Sequence, residues 1–574
     1  MRSTFYGLEI AKSGLFGAQN AMQVTGHNIS NVDTPGYTRQ RLNTSSVPPS
    51  YGGTLIGIDN RSTAGRGVTT INIERVRNTF LDYQYRKENT QTTQLQVKEQ
   101  YFEYVEQIFN NELDDIVTST GMTKMFSQFY DAIYELSEKP ESTEMRVNLQ
   151  QKALTLAESF NYYSQRLQEQ QATLNETVRI TVNEINSISN KIANLNKQIY
   201  GYEQSGATAN DLRDERDNLL DTLSGLVNIT TYEDTDGQLV VTVGEGETAH
   251  VLIRHKDVNE MTVHEEKNGL MNGESKYTPV WADVNGDPTF AKVDIDAGGA
   301  LKGYVEIRDG ATNEDIGIPY VVEQLNNIVR TLAKDMNAVH QSGWTFPSTA
   351  GGESVTGVDF FNVPTLVKLV DADGNAILDK NGDEVWYSNT YKGVHASRDD
   401  MGNTIYVDQD DNIVPIASFD ENNQPDPYSV ITADNFRLSD AVLSDVFNIA
   451  TSSEKIVNGA DNNQKGNNEN ILAMAGIITK TDAAGNPANV DSMFKSLLND
   501  ISIEMDYIHT NYKAQNVMLA HLDTQRASIS DVSLDEEMTN VIRFGHAYNA
   551  ASRVISAIDE ELDKLINGTG RVGL

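Results

Sequence analysis

Seven-residue apolar repeats occur at both ends of this 574-residue chain. The N-terminal repeat has one line of large residues and a second line of small or polar ones: Leu8, Leu15, Met22 and Ile29, and Ala11, Ala18 and Thr25. The C-terminal repeat is fuller: Val541, Phe544, Tyr548, Ala551, Ile555, Ile558, Leu562 and Leu565. A seven-residue period keeps one stripe of a helix against a neighbouring helix. The two ends therefore predict helices that each need a partner.

Between the two terminal repeats, the sequence has helical patterns on both sides of its centre. Residues 144–204 contain an apolar three-four alternation from Leu174 to Tyr202, which predicts one long coiled-coil-like helix. Further helical patterns cover residues 78–136, 212–226 and 316–341. Helix returns at residue 438 and continues almost to the end, where Ser533 and Glu536 have the spacing of a capping box.

The sequence between these helices has a different texture. After Asn228, short β-rich runs such as Leu239–Val243 alternate with clusters of Asp, Asn and Gly. A second β-rich stretch occupies residues 355–435, and the part from 359 to 435 has 15 Asp or Glu against 4 Lys or Arg. Short strands separated by such turns are typical of antiparallel sheets.

These patterns predict an α+β multidomain fold with terminal α-helical coiled-coil segments, a middle domain of long bundled helices, and inserted antiparallel β domains. We expect an N-terminal helical segment, 1–40, to pair with a C-terminal one, 531–574. The expected helical core combines 41–227, 316–345 and 438–530. The expected β insertions are 228–315 and the acidic module 346–437.

Charge and composition exclude several classes of function. Lys and Arg total 45 against 82 Asp and Glu, so the net charge is 45 − 82 = −37. Nucleic acids and anionic membrane surfaces are bound by positive charge, so neither is an expected partner. The chain has no cysteine, which excludes disulfides, thiol nucleophiles and Cys-ligated metals.

No catalytic motif is present. His264-Glu265-Glu266 lacks the second His of a zinc-protease helix, and neither a phosphate-binding GxxxxGK[ST] loop nor a GxSxG elbow occurs. The clusters beginning at Asp371 and Asp379 place oxygen ligands at alternate positions, but lack the Gly and Glu of an EF-hand loop. Hairpin turns are the favoured interpretation and calcium loops the alternative. We expect no enzyme activity, no cofactor and no metal site.

The terminal stripes admit two interpretations. Each could be the core of an ordinary helical bundle, or a surface that becomes buried between subunits. Short isolated helix pairs are marginal in water, which favours burial in an assembly. The candidate assembly residues are large and apolar: Leu8, Leu15, Met22, Ile29, Val541, Phe544, Tyr548, Ile555, Ile558 and Leu562.

Both ends also resemble a known family. Residues 7–40, which include the segment NISNVDTPGYTRQ at 28–40, are similar to the N-terminal signature of bacterial flagellar axial proteins, and residues 533–568 to the matching C-terminal signature. Thr34-Pro35 begins a tight turn in which Gly36 supplies a positive φ. The signature-turn residues are Asn28, Asn31, Thr34, Pro35, Gly36 and Tyr37. TPGYTRQ combined with AYNAASRVI resembles the hook-associated members, whereas hook and rod proteins usually have N-T-x-G-F.

The resemblance implies a structural role without catalysis, at the junction between hook and filament. It implies terminal helices that become ordered on polymerisation into a ring or tube of identical subunits. The implied partners are other copies, the hook protein, the second junction protein and a flagellar export chaperone. It also implies an extracellular location, reached through flagellar type III export without a cleaved signal; Glu9 and Lys12 interrupt any Sec-type apolar region.

Two alternatives remain open at this point. The chain could be another axial protein: hook, distal rod, second junction protein or flagellin. It could also be an axial scaffold that carries a secreted calcium-binding or enzymatic insert within residues 228–435.

Overall fold

The computed structural model describes residues 6–568, with gaps at 48–64, 110–120, 205, 235–237, 245, 247–248, 284–285, 297, 348–352, 372, 399–403, 411–412, 421, 458–462 and 482–488. Residues 569–574 of the expected C-terminal segment lie outside the described part. Within the described residues, no helix is both long enough and apolar enough to cross a bilayer.

Helices form most of the described structure. They are α1 Tyr6–Ser30, α2 Thr79–Ile108, α3 Met122–Glu138, α4 Thr143–Glu203, α5 Asn210–Leu226, α6 Ala300–Asp309, α7 Ile318–Ser342, α8 Asp440–Ser444, α9 Glu469–Gly476, α10 Val490–Ser530 and α11 Leu534–Gly568. The α+β multidomain prediction, with long helices at the termini, is confirmed.

The strands form small antiparallel sheets. They are β1 Gln40–Ser46, β2 Val68–Arg75, β3 Ile229–Glu233, β4 Leu239–Val243, β5 His250–Arg254, β6 Asp257–Val258, β7 Met261–Glu266, β8 Lys276–Ala282, β9 Pro288–Lys292, β10 Ala311–Thr312, β11 Asp315–Ile316, β12 Leu366–Lys368, β13 Trp386–Ser388, β14 His395–Arg398 and β15 Thr404–Val407. The sheets have the strand orders β1-β2, β3-β4-β5-β6, β7-β8-β9, β10-β11, β12-β13 and β14-β15.

The 61-residue helix α4 organises the interior. Ser142 caps it by accepting a hydrogen bond from Met145 N at 3.3 Å. Its three-four alternation is buried from Leu174 to Ile199, as predicted, but Tyr202 is 56% exposed. The prediction that the apolar line continues to Tyr202 is therefore wrong, because the helix ends at Glu203 and its last turn extends beyond the core.

Two apolar cores lie along α4. Its N-terminal half packs with α2, α3, α7, α9 and the first part of α10 around aromatic side chains that include Phe129, Phe160 and Phe494. Its C-terminal half packs with α5 and the sheets of strands β3 to β9. A separate small core holds the acidic module together: Leu369, Val385, Val394, Tyr406 and Val414.

The Asp-rich clusters are hairpin turns, the favoured interpretation. Asp371 Oδ1 accepts the backbone N–H groups of Asp373 and Asn375 at 2.9 and 2.8 Å. Asp379 Oδ1 does the same for Asn381 and Asp383. Isolated β-bridges, 370 to 376 and 378 to 384, flank the two turns. Within the described residues, no group of three or more His, Asp or Glu side chains is arranged to hold a metal ion.

Candidate functional site

The two terminal helices, α1 and α11, lie against each other, and we call them the terminal pair. A Cβ added to Gly7 would lie 3.3 Å from Ile558 Cδ1, so glycine allows α11 to approach closely. The β1-β2 hairpin also packs on α1. Ser13 Oγ accepts the N–H of Val68 at 3.1 Å and donates to Ile10 O at 2.8 Å. Helix α1 therefore contacts both α11 and the hairpin.

Burial within the terminal pair is uneven. The small N-terminal line of Ala11, Ala18 and Thr25 is buried, whereas the large line from Leu8 to Ile29 is only half-buried. On α11, Val541 is 37% exposed. The other candidate residues of that helix are half-buried: Phe544, Tyr548, Ile555, Ile558 and Leu562. The structure thus brings the candidate assembly residues onto one helix pair and fully buries none of them within the single chain.

A polar cluster joins the terminal pair to the rest of the molecule. We call it the root network, and its members are Asn28, Tyr37, Arg39, Gln40 and Glu537. Asn28 is 1% exposed and uses both ends of its amide. Its Nδ2 donates to Gln40 O at 2.9 Å and to Glu537 Oε2 at 3.2 Å. Its Oδ1 accepts from Gln40 N at 3.0 Å and from the Tyr37 hydroxyl at 2.8 Å. Asparagine suits this position because its short amide supplies two N–H donors and an acceptor oxygen with two lone pairs.

Arg39 connects the two terminal signatures. Its guanidinium binds Glu537 Oε1 through Nε and Nη2, each at 2.8 Å. Its Nη1 binds Glu536 Oε2 at 2.7 Å, and its backbone N–H donates to Ser530 O at 2.8 Å. Such charge-assisted, two-point contacts fix orientation as well as distance. They set the position at which α11 leaves the body.

Glu537 is 2% exposed and is the one fully buried residue that the structure describes in α11. Its neighbour Glu536 corrects a detail of the capping prediction. The N–H of Glu536 does point at Ser533 Oγ, at 3.5 Å, but the Glu536 carboxylate binds Arg39. A guanidinium is a stronger partner for a carboxylate than a backbone N–H, so Glu536 links two distant segments.

The signature turn packs on helix α5. Tyr37 N donates to Thr34 O at 3.2 Å across the turn, and Gly36 has φ +76°. A Cβ on Gly36 would lie 3.3 Å from Asn218 Cγ, so glycine meets both the backbone angle and the close approach. Burial and nearby carboxylates, Asp211 first among them, raise the pKa of Tyr37, which keeps its hydroxyl protonated and donating to Asn28.

Below the root network, ion pairs reach the body. Thr38 N donates to Asp214 Oδ2 at 2.9 Å. Arg75 Nη1 bridges Asp214 and Asp217 at 2.8 and 2.7 Å. Burial alone would raise the pKa of Asp217, but Arg77, Arg75 and other guanidinium groups lower it to about 2. The Asp217 carboxylate therefore stays ionised, and α5 is firmly held to the strand that precedes α2.

Sequence reasoning missed most of these polar residues. Arg39 and Gln40 stand inside the quoted signature but were not selected, and Glu537 looks like any acidic residue in the first turn of a helix. The Asp and Arg residues of α5 read as an ordinary solvated face. No local pattern identifies them, because their partners lie far away in the sequence.

Three family models of flagellar proteins match stretches of the chain. Residues 103–361 match the model described as the flagellar hook-associated protein FlgK helical domain. Residues 8–38 match the flagella basal body rod protein model, and residues 524–568 match the flagellar basal body rod FlgEFG protein C-terminal model. The N-terminal match includes Asn28 and Tyr37 of the root network, and the C-terminal match includes Glu537.

Whole-length relatives and a solved structure agree with these matches. Flagellar hook-associated protein 1 of Bacillus subtilis is 29% identical over 99% of both chains. The protein of that name from Escherichia coli is 24% identical over 97% of this chain and 98% of its own length. The flagellar hook junction protein FlgK from Burkholderia pseudomallei has a similar fold, with a TM-score of 0.56 and 15% identity, covering 78% of this chain and 100% of that structure. The resemblance found in the terminal signatures is confirmed.

Proposed function

Since this chain belongs to the family of flagellar hook-associated protein 1, we propose that it joins hook to filament by assembling with other copies of itself through its terminal helices. As a member of that family, it is an axial component of the bacterial flagellum. The proposal beyond this concerns the junction role, the assembly surface and the partners.

The carrying observation is the incomplete burial of the terminal pair. Fully burying a large apolar side chain contributes about 1.5–3 kcal/mol, so ten half-buried or exposed seam residues retain a substantial driving force for association. The candidate assembly residues from Leu8 to Ile29 and from Val541 to Leu562 supply that surface. Contact with the same surface of neighbouring copies would complete their burial.

The root network supports this proposal by fixing geometry. Subunits of a closed or helical assembly must all present the same surface in the same direction. A pair of long helices attached by a flexible linker would not do so. The Asn28 amide and the Arg39 guanidinium hold the start of α11 against the end of α1, and so define that direction.

The proposed neighbours are the hook protein on one side and the second junction protein on the other, besides further copies. We also propose export by the flagellar type III route with the help of an export chaperone, and a purely structural role without catalysis. The division into terminal segments 1–40 and 531–574, helical core 41–227, 316–345 and 438–530, and β insertions 228–315 and 346–437 remains part of the proposal.

Complementation of a deletion strain tests the junction role. Cells without this protein should carry hooks without filaments and shed flagellin into the medium, as seen by electron microscopy and immunoblot. The wild-type chain should restore filaments. Filaments still attached to hooks in the deletion strain would overturn the junction role.

Two variants of α11 then test the terminal helices. Ile555→Asp places a charge on the half-buried seam, whereas Ser552→Asp places the same charge on an exposed position one turn away. The seam variant should fail to restore filaments and the control should succeed. An immunoblot of the medium must show equal export, and full function of Ile555→Asp at equal export would refute assembly through this seam.

A further inference from the structure

Helix α10 has two very different halves. Its first half is part of the helical core, where Phe494, Leu498 and Ile501 are fully buried. After Ser502, the buried residues that the structure describes in this helix are Ile508 and Leu522. Between them, Gln515 Nε2 donates to Gln91 Oε1 of α2 at 2.8 Å. The second half therefore contacts the body along one side, where Ile508, Gln515 and Leu522 have seven-residue spacing, and Arg526 adds ion pairs with Asp82 and Asp221 near its end.

One strip of the outward face of this half is apolar or uncharged, and the exposed charged residues Asp506 and Lys513 lie beside it. We call it the α10 stripe and define it by Ile503, Tyr507, Ala514, Val517, Met518 and His521. Its large members are strongly exposed: Ile503 61%, Tyr507 63%, Val517 68% and Met518 50%. Between Tyr507 and Leu522, Lys513 is the one Asp, Glu, Lys or Arg in the sequence. From residue 503 to residue 521 the stripe runs about 27 Å at 1.5 Å per residue.

The solvent-exposed face of helix α4 provides a comparison within the same chain. Along its middle, from residue 148 to residue 199, its large exposed apolar residues are Tyr162 at 52% and Ile180 at 53%, which stand singly. Charged pairs separate them, such as Arg166 with Glu169 at 3.0 Å. Single exposed apolar residues are normal on a protein surface, whereas a continuous apolar patch marks an interaction site.

We propose that the α10 stripe is a docking surface for a second copy of this chain. The proposal rests on the proposed function, because it assigns a second contact to the same self-assembly. Subunits of net charge −37 repel each other wherever acidic surfaces meet. Close approach between copies is therefore least costly along a long face with few fixed charges.

The α10 stripe is continuous with exposed apolar residues of the terminal pair, and this favours a second copy of the chain as the molecule that covers it. Exposed apolar residues continue past the stripe through Ile529 at 37%, Leu534 at 46% and Met538 at 60%. The hydrogen bond from Arg39 N to Ser530 O holds the connection between α10 and α11 in place. A second copy that covers the terminal seam can therefore extend along α10. Stable interfaces bury about 800 Å² per partner, which a single two-helix seam supplies less easily than seam and stripe together.

The absence of cysteine allows a direct test in assembled flagella. Val517→Cys and Ile180→Cys, each the single thiol of its chain, are introduced into the deletion strain. Isolated hook–filament structures and secreted monomer are then treated with a maleimide. We expect Val517→Cys to react at least about tenfold more slowly in the assembly than in the monomer, since buried thiols are shielded. Ile180→Cys should react equally in both.

A photoactivatable maleimide, benzophenone-4-maleimide, attached to Val517→Cys identifies the occupant. A cross-linked product of twice the chain mass that contains only this protein supports a second copy. A product with the hook protein or another component overturns the proposal, and so does an undiminished thiol reactivity. Absence of the wild-type chain from hook–filament structures would instead reject the proposed function itself, and the stripe proposal with it.

Charge substitution supplies the functional readout. Val517→Glu should reduce the number of filament-bearing cells at least about tenfold, because it places a negative charge in an apolar contact between acidic subunits. Ile180→Glu, on a face of similar exposure, should leave it unchanged. Both positions are exposed, so circular dichroism should show both variants folded. Normal filaments with Val517→Glu would contradict the proposal.

Discussion

At the scale of single residues, the terminal pair depends on one buried amide. Asn28 satisfies two donors and two acceptors around the entrance to α11, so its identity is more constrained than that of any apolar seam residue. Aspartate has almost the same shape but cannot donate. It would also face the carboxylate of Glu537, whose Oε2 lies 3.2 Å from the Asn28 amide nitrogen.

Asn28→Asp should therefore loosen the terminal pair. The loss of two buried hydrogen bonds and the new carboxylate contact should cost about 2–3 kcal/mol of local stability. Hydrogen exchange of the α11 amides in assembled hook–filament structures, where the terminal pair is ordered, measures this, and their protection should fall by roughly 30-fold or more. Asn549→Asp, an exposed position on the same helix, is the control. Equal protection in the two variants would contradict the role given to Asn28.

A second residue-scale prediction concerns acid. His340 is fully buried; its Nδ1 lies 2.6 Å from Val358 O, and its Nε2 accepts the N–H of Ala450 at 2.9 Å. This arrangement fits only the neutral ring, and burial lowers the pKa of His340 to about 4. The unfolded chain binds a proton near pH 6.5, so the stabilising effect is complete above pH 6.5 and is lost as the pH falls towards 4.

The expected loss from His340 between pH 7 and pH 4 is about 3 kcal/mol in the free energy of unfolding. His340→Gln should be less stable at pH 7 but should show a flatter pH dependence across this interval. His395→Gln, at an exposed position, should keep the wild-type slope. Urea denaturation at several pH values gives the comparison, and identical slopes for all three proteins would show that His340 does not titrate on unfolding.

At the scale of elements, sequence patterns predict the structures that form between residues close together in the sequence. The alternation from Leu174 to Ile199 predicted α4 because one buried stripe repeats every three or four residues. The same reasoning predicted terminal helices, an inserted strand such as β4, and the hairpin turns at Asp371 and Asp379. It did not predict the contact between Arg39 and Glu537, which are 498 residues apart. A polar pair of that separation leaves no periodic trace in either segment.

The distribution of burial along α11 leads to an element-scale prediction. Beyond Glu537 the structure describes no fully buried residue in this helix, and a helix that buries so little apolar surface is marginally stable in water. Limited proteolysis of the monomer should therefore cut both termini and stop near the root network. The product, measured by mass spectrometry, should span roughly residues 40 to 530.

The same digestion of assembled hook–filament structures is the control. There the terminal helices should be protected, because neighbouring copies cover their seams. Termini that resist protease equally in dilute monomer would favour the alternative interpretation, in which α1 and α11 are an ordinary bundle core.

At the scale of the whole molecule, charge and assembly oppose each other. A net charge of −37 opposes the approach of further copies wherever acidic surfaces meet. The proposed contacts are the parts of the surface that avoid this conflict: the apolar seams of the terminal pair and the uncharged α10 stripe. The acidic module contributes strongly to the negative net charge. The chain enters it from the helical core and returns to the helical core after it.

Association should consequently strengthen with salt. The Debye length falls from about 10 Å at 0.1 M to about 3 Å at 1 M, which weakens repulsion between acidic surfaces but leaves apolar contacts intact. In analytical ultracentrifugation of the purified chain, the apparent Kd of self-association should fall by roughly threefold to tenfold between 0.05 and 0.5 M NaCl. The triple variant Asp373→Asn, Asp383→Asn, Asp410→Asn changes exposed positions of the acidic module and brings the net charge to −37 + 3 = −34. It should bind more tightly at low salt and depend less on salt. Weaker binding at high salt would mean that attractive ion pairs, and not the uncharged faces, drive the assembly.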